Sequence, residues 1–315
     1  MNMNIAEEVI AAEKVIRPYI RETYLEYSPF YNRMTGAQVY FKLENLQHTG
    51  SFKLRGAMNK LLSLTAEEKG RGVVTASTGN HGAAFAFGLG IVKGRGVVFV
   101  PENASPAKVA VIERLGAEVR HIGTDSGETE AHARDYAEKN KMTHLPPYND
   151  VKVIGGQGTI ALELTNQLDR IDAVYVALGG GGMISGISGY LKSINPEVEI
   201  IGCSPENSQV MIQSVRAGRI LDLPSLPTLS DGTAGGVEPG SITLDFCREF
   251  VDEYMTVTES EIKDSLQEFI QAQQMLIEGS AAVAVAASKK QGDRFAGKNV
   301  VVVNCGGNIS LETIK

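Results

Sequence analysis

The chain has 315 residues, 43% of them hydrophobic and 21% charged, enough for one large domain or two of ordinary size around a real core. Its net charge of −7 argues against nucleic acid or an anionic membrane as the main partner. The three cysteines, Cys203, Cys247 and Cys305, give neither a disulfide framework nor paired metal-ligand spacing, and no apolar run approaches the ~18 residues of a membrane span.

From the start, Met1–Arg21 mixes Glu7, Glu8, Glu13 and Lys14 with apolar residues. That pattern fits an amphipathic helix, not a signal peptide, and a cytoplasmic setting is the expectation. Strand patterns rich in Val and Ile then alternate with helical ones. Strand Gln38–Leu43 precedes helix Phe52–Leu62, strand Gly72–Ala76 precedes helix Gly82–Leu89, and strand Gly96–Val100 precedes helix Pro106–Leu115. Strand Glu118–Ile122 and helix Glu128–Lys139 follow, up to a boundary at His144–Asp150 where Pro146 and Pro147 exclude a helix. Helix Thr159–Leu168, strand Asp172–Leu178, helix Met183–Ser193, strand Glu197–Cys203 and helix Ser208–Ala217 come next. Leu223–Gly240, rich in proline and glycine, predicts a long irregular loop of the kind that often carries function. The last strand is Asn299–Asn304. Such alternation predicts an α/β fold with parallel sheets covered on both faces.

Four segments could carry chemistry. In Gly50-Ser51-Phe52-Lys53-Leu54-Arg55-Gly56-Ala57, Ser51 is placed to cap a helix with Lys53 in its first turn. The positive end of a helix disfavours a cation, lowers the amine's pKa and suits a nucleophilic lysine; taken alone, Lys53 also fits an ordinary solvated lysine. Thr75-Ala76-Ser77-Thr78-Gly79-Asn80-His81-Gly82 lies between a strand and a helix and fits either an anion site or a simple capping turn. Gly179-Gly180-Gly181-Gly182-Met183 follows a strand and opens a helix. Four glycines add no packing but offer N–H groups that can converge on an oxyanion. They match neither the G-x-G-x-x-G fingerprint nor a P-loop, which would add a lysine. Val303-Asn304-Cys305-Gly306-Gly307-Asn308 ends an apolar strand, where a parallel sheet opens its ligand crevice; Cys305 is a ligand contact or a buried structural thiol.

In order and spacing, Ser51–Ala57, Ser77–Gly82, Gly179–Met183 and Cys305–Asn308 resemble the motifs of the threonine/serine dehydratase and serine racemase family, the tryptophan-synthase-β-like (fold type II) pyridoxal-phosphate enzymes. Ile16–Thr23, Lys42-Leu43-Glu44-Asn45, Gly155-Gly156-Gln157-Gly158-Thr159 and Ile277-Glu278-Gly279-Ser280-Ala281 extend the resemblance over nearly the whole chain. It implies two open, mainly parallel α/β/α domains with pyridoxal 5'-phosphate in the cleft between them. Residues 1–70 and 147–315 would form the large cofactor-binding domain and 71–146 the small substrate-side domain.

The resemblance also implies roles. Lys53 is the Schiff-base lysine and removes the substrate's α-proton. Phe52 packs near the pyridine ring and Asn80 bonds its hydroxyl. Gly179, Gly180, Gly181, Gly182 and Met183 hold the phosphate, and Glu278 lies at the cofactor. Ser77, Thr78 and His81 line the pocket for the substrate carboxylate. Cys305 stands beside the pyridine nitrogen, where a neutral thiol does not keep the nitrogen protonated as a carboxylate would. The reaction implied is β-elimination of water from a β-hydroxy amino acid such as L-threonine or L-serine, giving a 2-oxo acid and ammonia by a homodimeric enzyme.

Departures from the family pattern define the alternatives. Thr78 stands where many dehydratases carry Ala and racemases carry Ser as the second acid/base, so Thr78 is a second catalytic candidate and a racemase is the second reading. Its hydroxyl is expected to be drawn into capping the helix that follows. Ser204, Ser208 and Val210 replace the oxygens of the family's divalent site, so no metal is expected. No room is expected for the C-terminal regulatory domain of isoleucine-sensitive dehydratases. Lys53-Leu54-Arg55 departs from the Lys-Asp-Arg of cysteine synthases. A hydroxyectoine-derived, phenylserine or hydroxyaspartate substrate is a further alternative, and an amino-acid sensor is the reading without catalysis.

Overall fold

The computed structural model describes residues 4–310. Ten strands form two sheets. The larger runs β1 (Leu25–Tyr27), β2 (Gln38–Leu43), β10 (Asn299–Asn304), β7 (Ala173–Ala177), β8 (Glu199–Pro205) and β9 (Glu253–Val257). All its pairs are parallel except β1 against β2. The smaller is wholly parallel and runs β5 (Glu118–His121), β4 (Gly96–Val100), β3 (Val73–Ala76) and β6 (Thr143–His144). The small sheet is one contiguous stretch of chain set between two parts of the large one.

The helices in chain order are α1 (Ile5–Ile16), α2 (Pro29–Thr35), α3 (Lys53–Ser63), α4 (Ala66–Arg71), α5 (Asn80–Val92), α6 (Pro106–Arg114) and α7 (Ser126–Lys139). They continue with α8 (Val151–Gln167), α9 (Gly182–Ile194), α10 (Val210–Ala217), α11 (Thr243–Phe250), α12 (Glu259–Gln273) and α13 (Gly279–Lys290). In β4 the side chains alternate between faces. Val98 and Val100 pack with Phe85 and Leu89 of α5 and Ile112 of α6. Val97 and Phe99 pack with Ala133 and Ala137 of α7. The small sheet is therefore covered on both sides. In the large sheet, Val300 to Val303 are all buried, as a central parallel strand requires, and α13 lies over β7–β10.

Every anticipated strand is present with edges shifted by two residues at most, and the alternation reads through correctly. Three short strands escape the sequence reading: β1 and β6, with three and two residues, are too brief to show a period, and β9 is only half-buried. Five helices also escape it, among them α13, whose Ala/Val surface is buried all round and so lacks an amphipathic stripe. Helix α8 begins eight residues before the anticipated Thr159. The Asp150 carboxylate accepts from the N–H groups of Lys152 (2.8 Å) and Val153 (3.1 Å) and caps it. Its glycines disguise it as a loop, yet they serve packing: a Cβ on Gly156 would sit 2.5 Å from the Arg55 carbonyl oxygen. Ser51 is not the cap of α3. It forms a bridge with Gly306, its hydroxyl is buried without a partner, and α3 starts at Lys53 with no side-chain cap.

A buried ionic cluster ties α3 to its surroundings. Arg55 donates to Glu44 (2.7 and 2.8 Å) and to Glu163 of α8 (2.7 and 2.8 Å). Lys42 of β2 adds a 2.6 Å bond and Arg17 a 2.5 Å bond to Glu163. Burial alone would raise the pKa of Glu163, but Arg55 and then Lys42 outweigh it and hold the carboxylate well below its ordinary range.

Candidate active site

The sheets present the C-terminal ends of β3, β7 and β10 to a common cleft. A cavity of about 630 Å³ there is lined by Phe52, Lys53, Ser77, Thr78, Asn80, His81, Gly179–Met183, Glu278 and Cys305, so every site residue expected from sequence comes to one place. The volume lies within the ordinary range for small-molecule sites.

Lys53 is the first residue of α3, and its Nζ donates to the carbonyl of Pro147 at 2.8 Å. The ammonium also lies 5.2 Å from the Phe52 ring centroid. Burial lowers its pKa to about 8, against the opposing pull of Cys305, Glu130 and Glu278. The segment carrying it is stitched to the end of β10: Phe52 N donates to Cys305 O (3.0 Å) and Gly307 N to Gly50 O (2.9 Å).

Between β7 and α9, Gly181 has φ +86 and serves as the N-cap, a conformation glycine adopts without strain. The N–H groups of Gly179 to Met183 have no acceptor among the described residues, and they cluster where a helix carries partial positive charge. Tyr148 closes this turn from one side, its ring lying where a Cβ on Gly180 would fall, at 2.4 Å. The irregular loop expected at Leu223–Gly240 does lack regular structure, and Asp231–Gly236 line the cavity.

At the start of α5 the Ser77 hydroxyl accepts from Gly79 N at 3.2 Å. Thr78 was expected to lend its hydroxyl to a cap; instead α5 has no side-chain cap, because Ser77 closes the turn, and the Thr78 hydroxyl is unpaired among the described residues. His81 Nε2 lies 3.2 Å from Leu145 O. A carbonyl only accepts, so Nε2 carries the proton and the buried Nδ1, which has no partner, is an acceptor. Burial, then the Lys53 charge, lowers the His81 pKa to about 3. A neutral acceptor does not attract a carboxylate, so the anion-binding capacity of this turn lies in its hydroxyls and free N–H groups.

Asn80 Nδ2 donates to both Glu278 oxygens (2.9 and 3.0 Å), and its Oδ1 accepts from Asn308 Nδ2 at 2.6 Å. Asn308 N also donates to Glu278 (3.2 Å), and the Cys305 thiol lies 3.8 Å from Glu278 Oε1. Burial raises Glu278 to about 7, although the Asn80 amide opposes it. Burial, reinforced by Glu278, pushes the Cys305 thiol well above its ordinary value and keeps it neutral. Sequence reasoning did not assign Tyr148, Glu130 or the Asp231–Gly236 turn to the site. Only the long loop gave a signal, since Tyr148 follows the two prolines like any boundary residue and Glu130 sits in a polar helix. Ser204 donates to Leu178 O (2.7 Å) and the Ser208 hydroxyl accepts from Gly235 N (3.2 Å), so both oxygens serve the protein's own backbone.

Comparison with known proteins places this arrangement. The family described as pyridoxal-phosphate dependent enzyme matches residues 16–306. The L-threonine ammonia-lyase of Thermotoga maritima is 40% identical over 308 residues, covering 98% of this chain and 76% of that protein. The catabolic L-threonine dehydratase TdcB of Escherichia coli K12 is 37% identical over 310 residues, covering 98% and 94%. Among solved structures, maize serine racemase superposes with a TM-score of 0.93 at 31% identity, covering 98% of this chain and 95% of that one. Threonine deaminase isoform 2 of Solanum lycopersicum gives 0.91 at 30%, covering 98% and 90%. With its two sheets, its cleft and a family match over almost its full length, the chain belongs to the pyridoxal-phosphate-dependent enzymes.

Proposed function

We propose that the protein dehydrates and deaminates a β-hydroxy amino acid such as L-threonine or L-serine, releasing a 2-oxo acid and ammonia. The observation that carries this is the convergence of Lys53, the unpaired N–H groups of Gly179–Met183 and the neutral Cys305 thiol on one cavity. The donor set fits pyridoxal phosphate. The glycine turn offers orphaned N–H groups in a cradle that side chains would fill, suited to a phosphate. Lys53 would hold the aldehyde carbon and Phe52 would pack beside the ring. Asn80 would turn to the ring hydroxyl and Cys305 would meet the pyridine nitrogen, with Glu278 behind both. When bound, the cofactor supplies an electron-withdrawing ring that stabilises negative charge at the substrate's α-carbon.

The chain's own groups do the rest. Ser77, Thr78 and the free N–H groups at the start of α5 orient the substrate carboxylate. His81 Nδ1, an acceptor without a partner, is available to a hydrogen-bond donor beside that layer. Lys53 Nζ, with its lowered pKa, accepts the α-proton near neutral pH and hands a proton on to the β-hydroxyl, which then leaves as water. A thiol that stays neutral beside the pyridine nitrogen limits delocalisation of the carbanion and favours loss of the β-group over reprotonation. We assign residues 1–70 and 147–315 to a large domain and 71–146 to a small one, and infer a homodimer working in the cytoplasm, needing no divalent metal.

The second reading is racemisation, favoured by the unpaired Thr78 hydroxyl and the likeness to maize serine racemase. Incubating the holoenzyme with L-threonine and L-serine separates the two. Expected are 2-oxo acid and ammonia in equal amounts, with little of the opposite enantiomer on a chiral column. More D-amino acid than 2-oxo acid would replace elimination with racemisation. Thr78→Ser should raise any D-product and Thr78→Ala remove it.

A further inference from the structure

The cavity extends past the groups assigned above to a wall made by α7, where Ser126, Thr129 and Glu130 face it. Glu130 is half-buried, and its carboxylate makes no hydrogen bond or ion pair among the described residues. Nearby, Arg134 is engaged by Glu238 at 3.5 Å, and Glu238 also accepts from Asn149 at 2.9 Å. His144 is kept neutral, burial lowering its pKa to about 4. Lys60 is spoken for by Asp150 at 2.6 Å, and Lys108 by Asp231 at 2.7 Å. Two carboxylates therefore face one guanidinium at this end of the cleft. Burial raises the pKa of Glu130, while Arg134 and Lys53 act against that and Glu238 with it. A half-buried carboxylate without a partner is costly, and a ligand group that donates to it would recover that cost.

Resting on the amino-acid reading above and deepening it, we propose that Glu130 selects substrates by the far end of their side chain: the preferred β-hydroxy amino acid carries a cationic or hydrogen-bond-donating group beyond the β-carbon. The two-carbon side chain of threonine ends short of such a partner and leaves the carboxylate unpaired. A distal carboxylate, as in hydroxyaspartate, adds a like charge beside Glu130 and Glu238 and is disfavoured.

The test uses three amino acids of similar length that lack a β-hydroxyl and so cannot lose water: L-ornithine (cationic), L-norvaline (neutral) and L-glutamate (anionic). Their dissociation constants come from the change they cause in the cofactor absorbance of the holoenzyme. L-ornithine should bind about tenfold tighter than L-norvaline, the scale of one charge-assisted hydrogen bond, and L-glutamate most weakly. Added salt should narrow the difference. Glu130→Gln should bring the ornithine-to-norvaline ratio close to one, and Glu130→Asp should keep part of it. Equal binding of all three, tighter glutamate, or a ratio unchanged in Glu130→Gln would overturn the proposal while leaving the dehydratase reading intact. Absence of any spectral response, together with no 2-oxo acid from L-threonine, would overturn both.

Discussion

Lys53 shows what a single residue owes to its placement. An ordinary lysine is neutral only above ~10.4, whereas burial brings this one to about 8. Its reactive, uncharged form is therefore the major one above about pH 8. Capture of pyridoxal phosphate by the apoenzyme should accelerate as pH rises through that value and level off above it, followed by visible absorbance. Borohydride should then fix the cofactor on the Lys53 peptide. A flat pH profile, or label on another lysine, would remove the assignment. Taken singly, Lys53, Asn80 and Cys305 also fit a solvated lysine, a capping turn and a structural thiol; together with the glycines they were legible in the sequence because their motifs, in order and spacing, resemble one family. Glu130 was not, since a glutamate on a charged helix such as α7 looks solvated until its cavity is seen. Ser51 misled for a related reason: its position is right for a cap, but the bridge to Gly306 aims its hydroxyl inward.

At the level of elements, function sits on helix starts. Helices α3, α5 and α9 all begin at the cleft without a side-chain cap. In α5 and α9 this leaves the first N–H groups open to a ligand, whereas in α3 Arg55 N bonds Phe52 O and Gly56 N bonds Gln157 Oε1. Gly181→Val would force a branched residue into φ +86 and bring a Cβ to 2.9 Å from Thr243. Strain of ~1–3 kcal/mol should weaken cofactor binding about tenfold or more, while far-ultraviolet circular dichroism stays that of the wild type. An unchanged dissociation constant would count against the glycine turn as phosphate cradle. Helices α5, which has no side-chain cap, and α8, which Asp150 caps, both begin earlier than the sequence suggests. Glycine-rich first turns read as loops, yet here glycine admits the neighbouring helix or leaves room for a ligand. The capping box of α12, Thr258 with Glu261, was readable by contrast, and its amphipathic pattern could have been found.

For the molecule as a whole, acid tolerance rests on the cluster around Glu163. A carboxylate with a depressed folded pKa contributes stability fully above its unfolded value of ~4.3, and loses it as pH falls toward the folded one. Urea unfolding midpoints should drop between pH 5 and pH 3 in the wild type. Glu163→Ala leaves Arg55 and Lys42 buried with less compensation and should cost about 3–5 kcal/mol at neutral pH, with a shallower fall on acidification. A variant as stable as the wild type at pH 7 would show the cluster to be dispensable.

The central place of β10 in the large sheet has a consequence for biosynthesis. β10 lies between β2 and β7, so the N-terminal strands emerge from the ribosome long before the neighbour that completes their sheet. The four-stranded sheet, contiguous in the chain, has all its strands available much sooner. The residues just before Lys53 are fastened to the end of β10, Phe52 to Cys305 and Ser51 to Gly306, so the site is incomplete until β10 and the turn after it have been made. A cell making this enzyme must shelter an unfinished sheet edge until β10 has emerged, and cofactor loading waits on that strand.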